Sequence, residues 1–304
     1  MSILINRLVV VGIGLIGGSL ATALKQAGAC REVIGVALDA QTCRQAVALG
    51  VVDRAYTSLA DIASELCAGD VVLISVPTLS VPAVLQQVKD WVGSDVTVTD
   101  AASVKGSVLA AAENVWAQMP TNLVLGHPIA GSERSGVTAA NPNLYVRHRV
   151  IITPLEHTAD KHLQLVAAMW QAAGAEVLMM SVAEHDDVLA ATSHLPHAIA
   201  YSLVDTLAFD AENENIFRYA AGGFRDFTRI ASSDPRMWHD IMLANKSSVL
   251  KSLDLFSDNL ARLREAIESG DGETLLGVFS RAKEARDEFT QVMAAAKSSS
   301  ETKL

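Results

Sequence analysis

The hydrophobic pattern changes character partway along the chain. Up to about residue 182, short uninterrupted apolar runs alternate with longer stretches in which apolar residues recur every three or four positions. Residues 8–11, 32–36, 70–76, 95–99, 123–125, 149–153 and 175–180 read as strands, and 19–27, 81–92 and 161–173 as helices between them. The strand runs lack apolar/polar alternation, as strands buried on both faces do. Strands alternating with helices predict an α/β fold built on a mostly parallel, doubly wound sheet. Beyond residue 182 only amphipathic stretches remain, at 182–209, 213–221, 235–267 and 273–296. Ile241, Leu250, Leu253, Leu260, Leu263 and Ile267 recur at roughly helical spacing. The expected organisation is a domain over 1–182 followed by an all-helical domain over 183–304, whose long apolar face suits a homodimer interface. The tail from Ser298 onward is polar and expected to fray.

The bulk numbers narrow the classes. A chain of 304 residues suggests about two domains, and 50% hydrophobic residues can fill a sizeable core. Net charge is −10, from 24 basic and 34 acidic side chains, which argues against a nucleic-acid partner or an anionic membrane surface. Cys30, Cys43 and Cys67 are odd in number and fall in no metal-ligand spacing, so reduced thiols, no metal and a cytoplasmic location are expected. Neither a secretory leader nor a membrane-spanning segment is expected from the pattern.

The first strand breaks at Gly12-Ile13-Gly14-Leu15-Ile16-Gly17 and a helix follows. Strand, G-x-G-x-x-G, helix is the context that makes this glycine pattern a dinucleotide-binding turn. Gly12 would make the tight turn, Gly14 admit a pyrophosphate, and Gly17 let helix and strand close together, with Leu15 and Ile16 beside the cofactor. Unpaired N–H groups in the first helical turn would face the phosphates. Ser75, at the end of the third strand, belongs to the same carboxyl edge. At the end of the second strand Asp39 could hold the ribose of NAD. Equally, the absence of an acid at Ala37 could leave room for the extra phosphate of NADP, with Arg44 nearby. Either cofactor is compatible.

In open parallel sheets ligands bind beyond the carboxyl ends of strands. Polar clusters at 100–105 and 126–133 follow such ends, and further clusters lie at 193–197 and 222–231 in the helical half. His127, between glycine and proline just past a predicted strand, is poorly placed for packing and well placed to accept a hydroxyl proton. Ser103 could orient that imidazole by a hydrogen bond. Of Arg225 and Arg229, one should face the site, since guanidinium grips a carboxylate with two prongs.

Taken together, the turn at 12–17, GHPIAGSE (126–133), SHLPH (193–197) and GGFRDFTRIASSDPRMW (222–238) resemble the prephenate/arogenate dehydrogenases of tyrosine biosynthesis, in order and spacing, from about residue 7 to about 290. The resemblance implies NAD(P)-dependent oxidative decarboxylation of prephenate, to 4-hydroxyphenylpyruvate, and/or of arogenate, to tyrosine. It makes His127 the catalytic histidine with Ser103 as its hydrogen-bonding partner. Arg229 would hold the ring carboxylate and His197 lie near the substrate's side chain. Ser132, Glu133, Ser193, Gly222, Asp226 and Trp238 match positions lining or gating the pocket, some across a dimer. His197 beside Pro196 looks more like the prephenate-using or dual-specificity members. A monofunctional enzyme is expected, without a mutase segment before the first strand or a regulatory domain after Phe289. Two other readings are a β-hydroxyacid dehydrogenase, using Lys246 or Lys251, and a non-catalytic NAD(P)-sensing regulator; both leave His127 and SHLPH without a role.

Overall fold

The computed structural model describes residues 3–132, 134–209 and 216–301. Glu133 and residues 213–215 of one expected helical stretch lie outside them. The chain forms two compact units, residues 1–249 and 250–304.

The first unit is built on β1 (Ile5–Val11), followed by α1 (Leu15–Gln26), β2 (Cys30–Val36), α2 (Ala40–Ala48), β3 (Arg54–Tyr56), β4 (Val71–Ile74), α3 (Val81–Trp91), β5 (Thr97–Asp100), α4 (Lys105–Val115) and β6 (Leu123–Ile129). After these come β7 (Arg149–Thr153), α5 (Asp160–Ala172) and β8 (Glu176–Met179). Among the described residues they make one eight-stranded sheet in the order β3-β2-β1-β4-β5-β6-β7-β8, parallel throughout except between β6 and β7. The expected doubly wound α/β sheet is therefore present.

The unbroken apolar runs are explained by the two faces. Leu8 and Val10 of β1 point into one core with Leu20 and Leu24 of α1, while Val9 and Val11 point into the other with Leu85 and Val88 of α3. Successive strand side chains alternate between faces, so a strand covered on both sides has no polar position to show.

The chain order reverses direction across β1 and β4, and the turn after β1 lies at that switch. Gly12 has φ +95°, a conformation that favours glycine. A Cβ at Gly17 would lie 2.5 Å from Val10 Cγ1 and 2.6 Å from the Gly12 carbonyl oxygen, so only glycine lets α1 sit against β1. Around Gly14 a Cβ would meet nothing within 4 Å.

Two expectations about the strands change. The fifth strand runs on to Ile129 because Gly126–Ile129 pair with Ile152–Arg149 of β7, so His127 lies within the strand rather than past it. Pro128 is tolerated there because the ladder to β5 ends at Val124 and the strand is an edge on that side. The short β3 escaped the pattern. Its three residues carry too little periodicity, and Arg54 secures them by ion pairs to Glu32 and Glu65.

The helical half starts within the first unit. The amphipathic stretch over 182–209 is α6 (Val182–Leu189), a π turn (Ala190–His194) and α7 (Leu195–Ala208). Pro196 has no N–H and its ring crowds the preceding turn, and the wider π turn absorbs this. After α8 (Gly222–Thr228) and a 3₁₀ turn (Arg229–Ser232), α9 (Pro235–Ala244) stops at Asn245 and α10 (Lys246–Ser269) begins. The amphipathic stretch over 235–267 is thus divided between two helices.

The second unit takes in α10 from Leu250 and α11 (Gly272–Glu301), turned through Gly270 at φ +70° and capped by Asp271, which accepts from the Thr274 amide at 3.0 Å. Helix α11 continues through 298–301, where a frayed tail was expected. Leu255, Leu260, Ile267, Leu276, Phe279 and Phe289 are each more than half exposed.

Gly17→Ala is expected to destabilise the first unit by more than about 1 kcal/mol through backbone overlap. Gly14→Ala should leave stability unchanged within about 0.5 kcal/mol. Denaturant midpoints of the two variants check the contrast.

Candidate active site

The carboxyl edge of the sheet collects the groups that matter. Gly14 caps α1 through backbone alone, with no side chain on the free N–H groups of its first turn. That cradle is open and fits a dinucleotide pyrophosphate. The Tyr145 hydroxyl donates to the Ile16 carbonyl at 2.6 Å, holding the turn from behind. Ser75 donates to the Gly12 carbonyl at 2.8 Å, so its hydroxyl stabilises the turn itself. Both oxygens of Asp39 are engaged by Thr42, its amide at 2.7 Å and its hydroxyl at 2.7 Å, so this acid caps α2. Beside it the Leu38 side chain is 99% exposed at the end of β2.

Next to this edge lies a dry ionic centre. Lys105 is fully buried at the start of α4, and its Nζ donates to the Asp100 carboxylate and, at 2.6 Å, to the Gly126 carbonyl. Asp100 in turn accepts from the Gly126 amide at 3.1 Å and the Ala102 amide at 2.9 Å. Burial pushes the Lys105 ammonium below its ordinary range, and Asp100 pulls it back. Both backbone groups of the residue preceding His127 are thereby clamped.

His127 is 8% exposed, with Nδ1 2.9 Å from Nε2 of His185. His185 Nδ1 is in turn 2.7 Å from Asp186 Oδ1. The Asp186 carboxylate also accepts from the Lys105 amide at 2.9 Å and the Gly106 amide at 2.7 Å. Burial opposes charge on Asp186, but the hydrogen bonds from His185, Lys105 and Gly106 prevail and hold it below the ordinary carboxylate range. Burial first, then the neighbouring His185, Lys105 and His194, keep His127 well below its ordinary value, so it is neutral at pH 7.

Sequence reasoning offered Ser103 as the partner of His127. Among the described residues no hydrogen bond joins the two, and the ring's Nδ1 is held by His185 instead. The reason is tertiary: Asp186 is anchored to the first turn of α4, and α6 packed on α4 delivers His185 to the ring. Ser103 is half-buried in the turn between β5 and α4.

A second group forms around Trp238, which is 8% exposed on α9. The His197 ring stacks on it, centroids 3.5 Å apart and planes 20° apart, while His194 meets it edge-on at 6.1 Å. The indole Nε1–H is buried with no hydrogen-bond partner among the described residues. His197 Nδ1 donates to the Ser193 carbonyl at 2.8 Å across the π turn. Burial, then the charge of Arg229, lowers the His197 pKa, which places Arg229 within electrostatic reach of this ring. Asn245, where the helices break, donates to the Asp186 carbonyl at 2.8 Å and reaches His194 Nδ1 at 3.2 Å. Burial depresses His194 to about 4.

Ser132 is exposed just after β6, Gly222 and Asp226 are exposed on α8, and Asp226 pairs with Arg225 at 3.4 Å. Arg229 opens the 3₁₀ turn that follows. Lys105 and His194 lie in clusters the sequence singled out but were given no role, and His185, Asp186 and Asn245 lie outside those clusters. A His-Asp pair on a helix carries no spacing signal, because adjacent helical residues point in different directions. No group of three His, Cys, Asp or Glu side chains is arranged to hold a metal among the described residues, and none of their helices is long and apolar enough to cross a membrane.

The family description "prephenate dehydrogenase, nucleotide-binding domain" matches residues 20–179, and "prephenate dehydrogenase, dimerization domain" matches 181–281. A cyclohexadienyl dehydrogenase of Zymomonas mobilis is 37% identical over 286 residues, 92% of this chain and 95% of that one. The crystal structure of prephenate dehydrogenase from A. aeolicus, in complex with hydroxyphenyl propionate and NAD+, superposes with a TM-score of 0.87 at 38% identity, covering 95% and 99% of the two chains. That of the Synechocystis arogenate dehydrogenase has a TM-score of 0.78 at 27% identity, covering 93% and 99%.

His127 and His194 are held neutral inside the fold, whereas in the unfolded chain they take up protons near the ordinary value of about 6.5. Below that pH the unfolded state binds more protons. Stability should therefore fall by up to about 1.4 kcal/mol per pH unit for each histidine until its folded pKa is reached, and hold level above. Melting temperatures at pH 7.5 and pH 5 measure this; equal values would contradict it.

Proposed function

The chain belongs to the prephenate dehydrogenase family, and from that premise we propose how its residues divide the work. The protein is an NAD(P)-dependent oxidoreductase of tyrosine biosynthesis, acting on prephenate and/or arogenate. The part over 1–182 binds the dinucleotide, and the part over 183–304 supplies substrate contacts and the interface of a homodimer working in the cytoplasm. Support for the dimer comes from the dimerization-domain match and from the exposed apolar side chains along α10 and α11.

One observation carries the mechanism: a neutral imidazole at the carboxyl edge of the sheet, bound through Nδ1 only, with Nε2 left for a substrate. When bound, NAD(P)+ supplies the acceptor for the hydride leaving the ring carbon that bears the hydroxyl. His127 Nε2 takes the hydroxyl proton as that hydride departs, so a carbonyl forms without free oxocarbenium charge. Arg229 holds the ring carboxylate by charge-assisted hydrogen bonds and orients it. When the carboxylate leaves as carbon dioxide, its bonding pair aromatises the ring and the ring oxygen recovers the proton from His127. His197 and the unpartnered Trp238 indole lie toward the substrate's side chain. Ser103 is assigned to the same reacting oxygen, Ser132, Ser193, Gly222 and Asp226 to the border of the pocket, and Glu133, outside the described residues, is carried over from the family motif. The turn residues Gly12, Gly14, Leu15, Ile16 and Gly17, with Ser75 and Asp39, hold the cofactor.

Reduced-cofactor absorbance with prephenate or arogenate, each with NAD+ or NADP+, tests the assignment; no signal in all four combinations would refute it. His127→Asn should lower kcat by about 10²–10⁴-fold with cofactor affinity nearly intact. Arg229→Ala should raise KM by about 30-fold or more, the effect of losing a charged pair worth about 2 kcal/mol or more. An unchanged KM would move the carboxylate site elsewhere.

A further inference from the structure

The contacts behind His127 determine more than its position. A carboxylate can only accept, and Asp186 is held ionised by three N–H donors. His185 must therefore carry its proton on Nδ1, facing Asp186 Oδ1 at 2.7 Å. In the neutral ring its Nε2 is then bare and can only accept, so the 2.9 Å contact requires the proton on Nδ1 of His127. The consequence appears at the far side of that ring, where Nε2 is left with a lone pair.

We propose that Asp186 and His185 are positioning residues that set the tautomer of His127, making Nε2 the proton acceptor. This rests on the reading of His127 as the group that takes the substrate's hydroxyl proton. With the opposite tautomer the ring would present an N–H to that hydroxyl and could not accept from it.

The surroundings of Asp186 are built for this task. Its two oxygens receive the Lys105 and Gly106 amides at the start of α4, so the carboxylate cannot rotate without losing a donor. A Cβ at Gly106 would stand 2.6 Å from Asp186 Oδ2, which leaves glycine as the residue that admits the carboxylate. On its other side the Asn245 amide fixes the Asp186 backbone carbonyl and spans to His194. The chain Asp186–His185–His127 is buried along its length, and His185 is fully enclosed. In such surroundings two donors facing each other leave a buried N–H unmatched, which makes one tautomer dominate. No proton passes along the chain; Asp186 stays ionised and acts through orientation and field.

The test uses the full chain with ¹⁵N-labelled histidine, the His127 signals being assigned by their loss in His127→Asn. Long-range ¹H–¹⁵N spectra at pH 7.5 should show His127 protonated at Nδ1 and bare at Nε2. Protonation at Nε2 would overturn the proposal. Asp186→Asn should lower kcat by about 10²–10⁴-fold with KM little changed, since the wrong tautomer affects the chemical step rather than binding. His185→Gln, whose Oε1 can still accept from Nδ1 of His127, should stay within about tenfold of wild type, while His185→Leu should fall as far as Asp186→Asn. Equal losses for Gln and Leu, or full activity of Asp186→Asn, would overturn it. The reading beneath it fails separately: if His127→Asn turns over normally, His127 is not the proton acceptor whatever its tautomer.

Discussion

The whole site depends on the burial of one ion pair. Lys105 and Asp100 are both withdrawn from water at the end of β5 and the start of α4. Such a pair recovers its desolvation cost only when its remaining hydrogen-bonding capacity is satisfied. Here that capacity is satisfied by the backbone next to the reactive imidazole: the Gly126 amide goes to Asp100 and the Gly126 carbonyl to Lys105. A hydrophobic pair of the same volume could fill the space, but it could not grip a peptide group on both sides. The expensive interaction is retained where it specifies geometry.

The same turn holds the next layer. The amides of Lys105 and Gly106, which at a helix start have no partner of their own, are given to Asp186 from another helix. A helix N-terminus thereby becomes a socket for a carboxylate, and the carboxylate sets the protons on two imidazoles. Irregularities in the helical half cluster around this point. The π turn at 190–194 carries Ser193 and His194, and at the break between helices the Asn245 side-chain amide bridges Asp186 and His194. Local rules of helix formation are broken where side chains must converge, as is usual at functional sites.

How far the sequence alone reached can be judged element by element. The glycine turn was legible because its constraint is local: Gly12 needs a positive φ and Gly17 needs the absence of a Cβ, whatever the distant chain does. The buried strands were legible because two covered faces erase alternation. His127, Arg229 and His197 were named from motifs that resemble a family, without any view of their contacts. The extension of β6 through Pro128 was not, since it depends on β7, some twenty residues further on. Nor was β3, whose three residues are secured by Glu32 and Glu65 from elsewhere.

What the amino-acid order determined by itself was the α/β plan and the glycine turn, and it offered the His127 imidazole as a candidate. Each of these follows from short-range sterics, periodicity or residue chemistry. What the tertiary structure alone decided was the partner of that imidazole. His185 lies 58 residues from His127, and Asp186 lies 80 and 81 residues from the two amides that hold it. No spacing along the chain encodes such contacts, because they exist only once two helices and a strand end have been brought together by burial of their apolar faces.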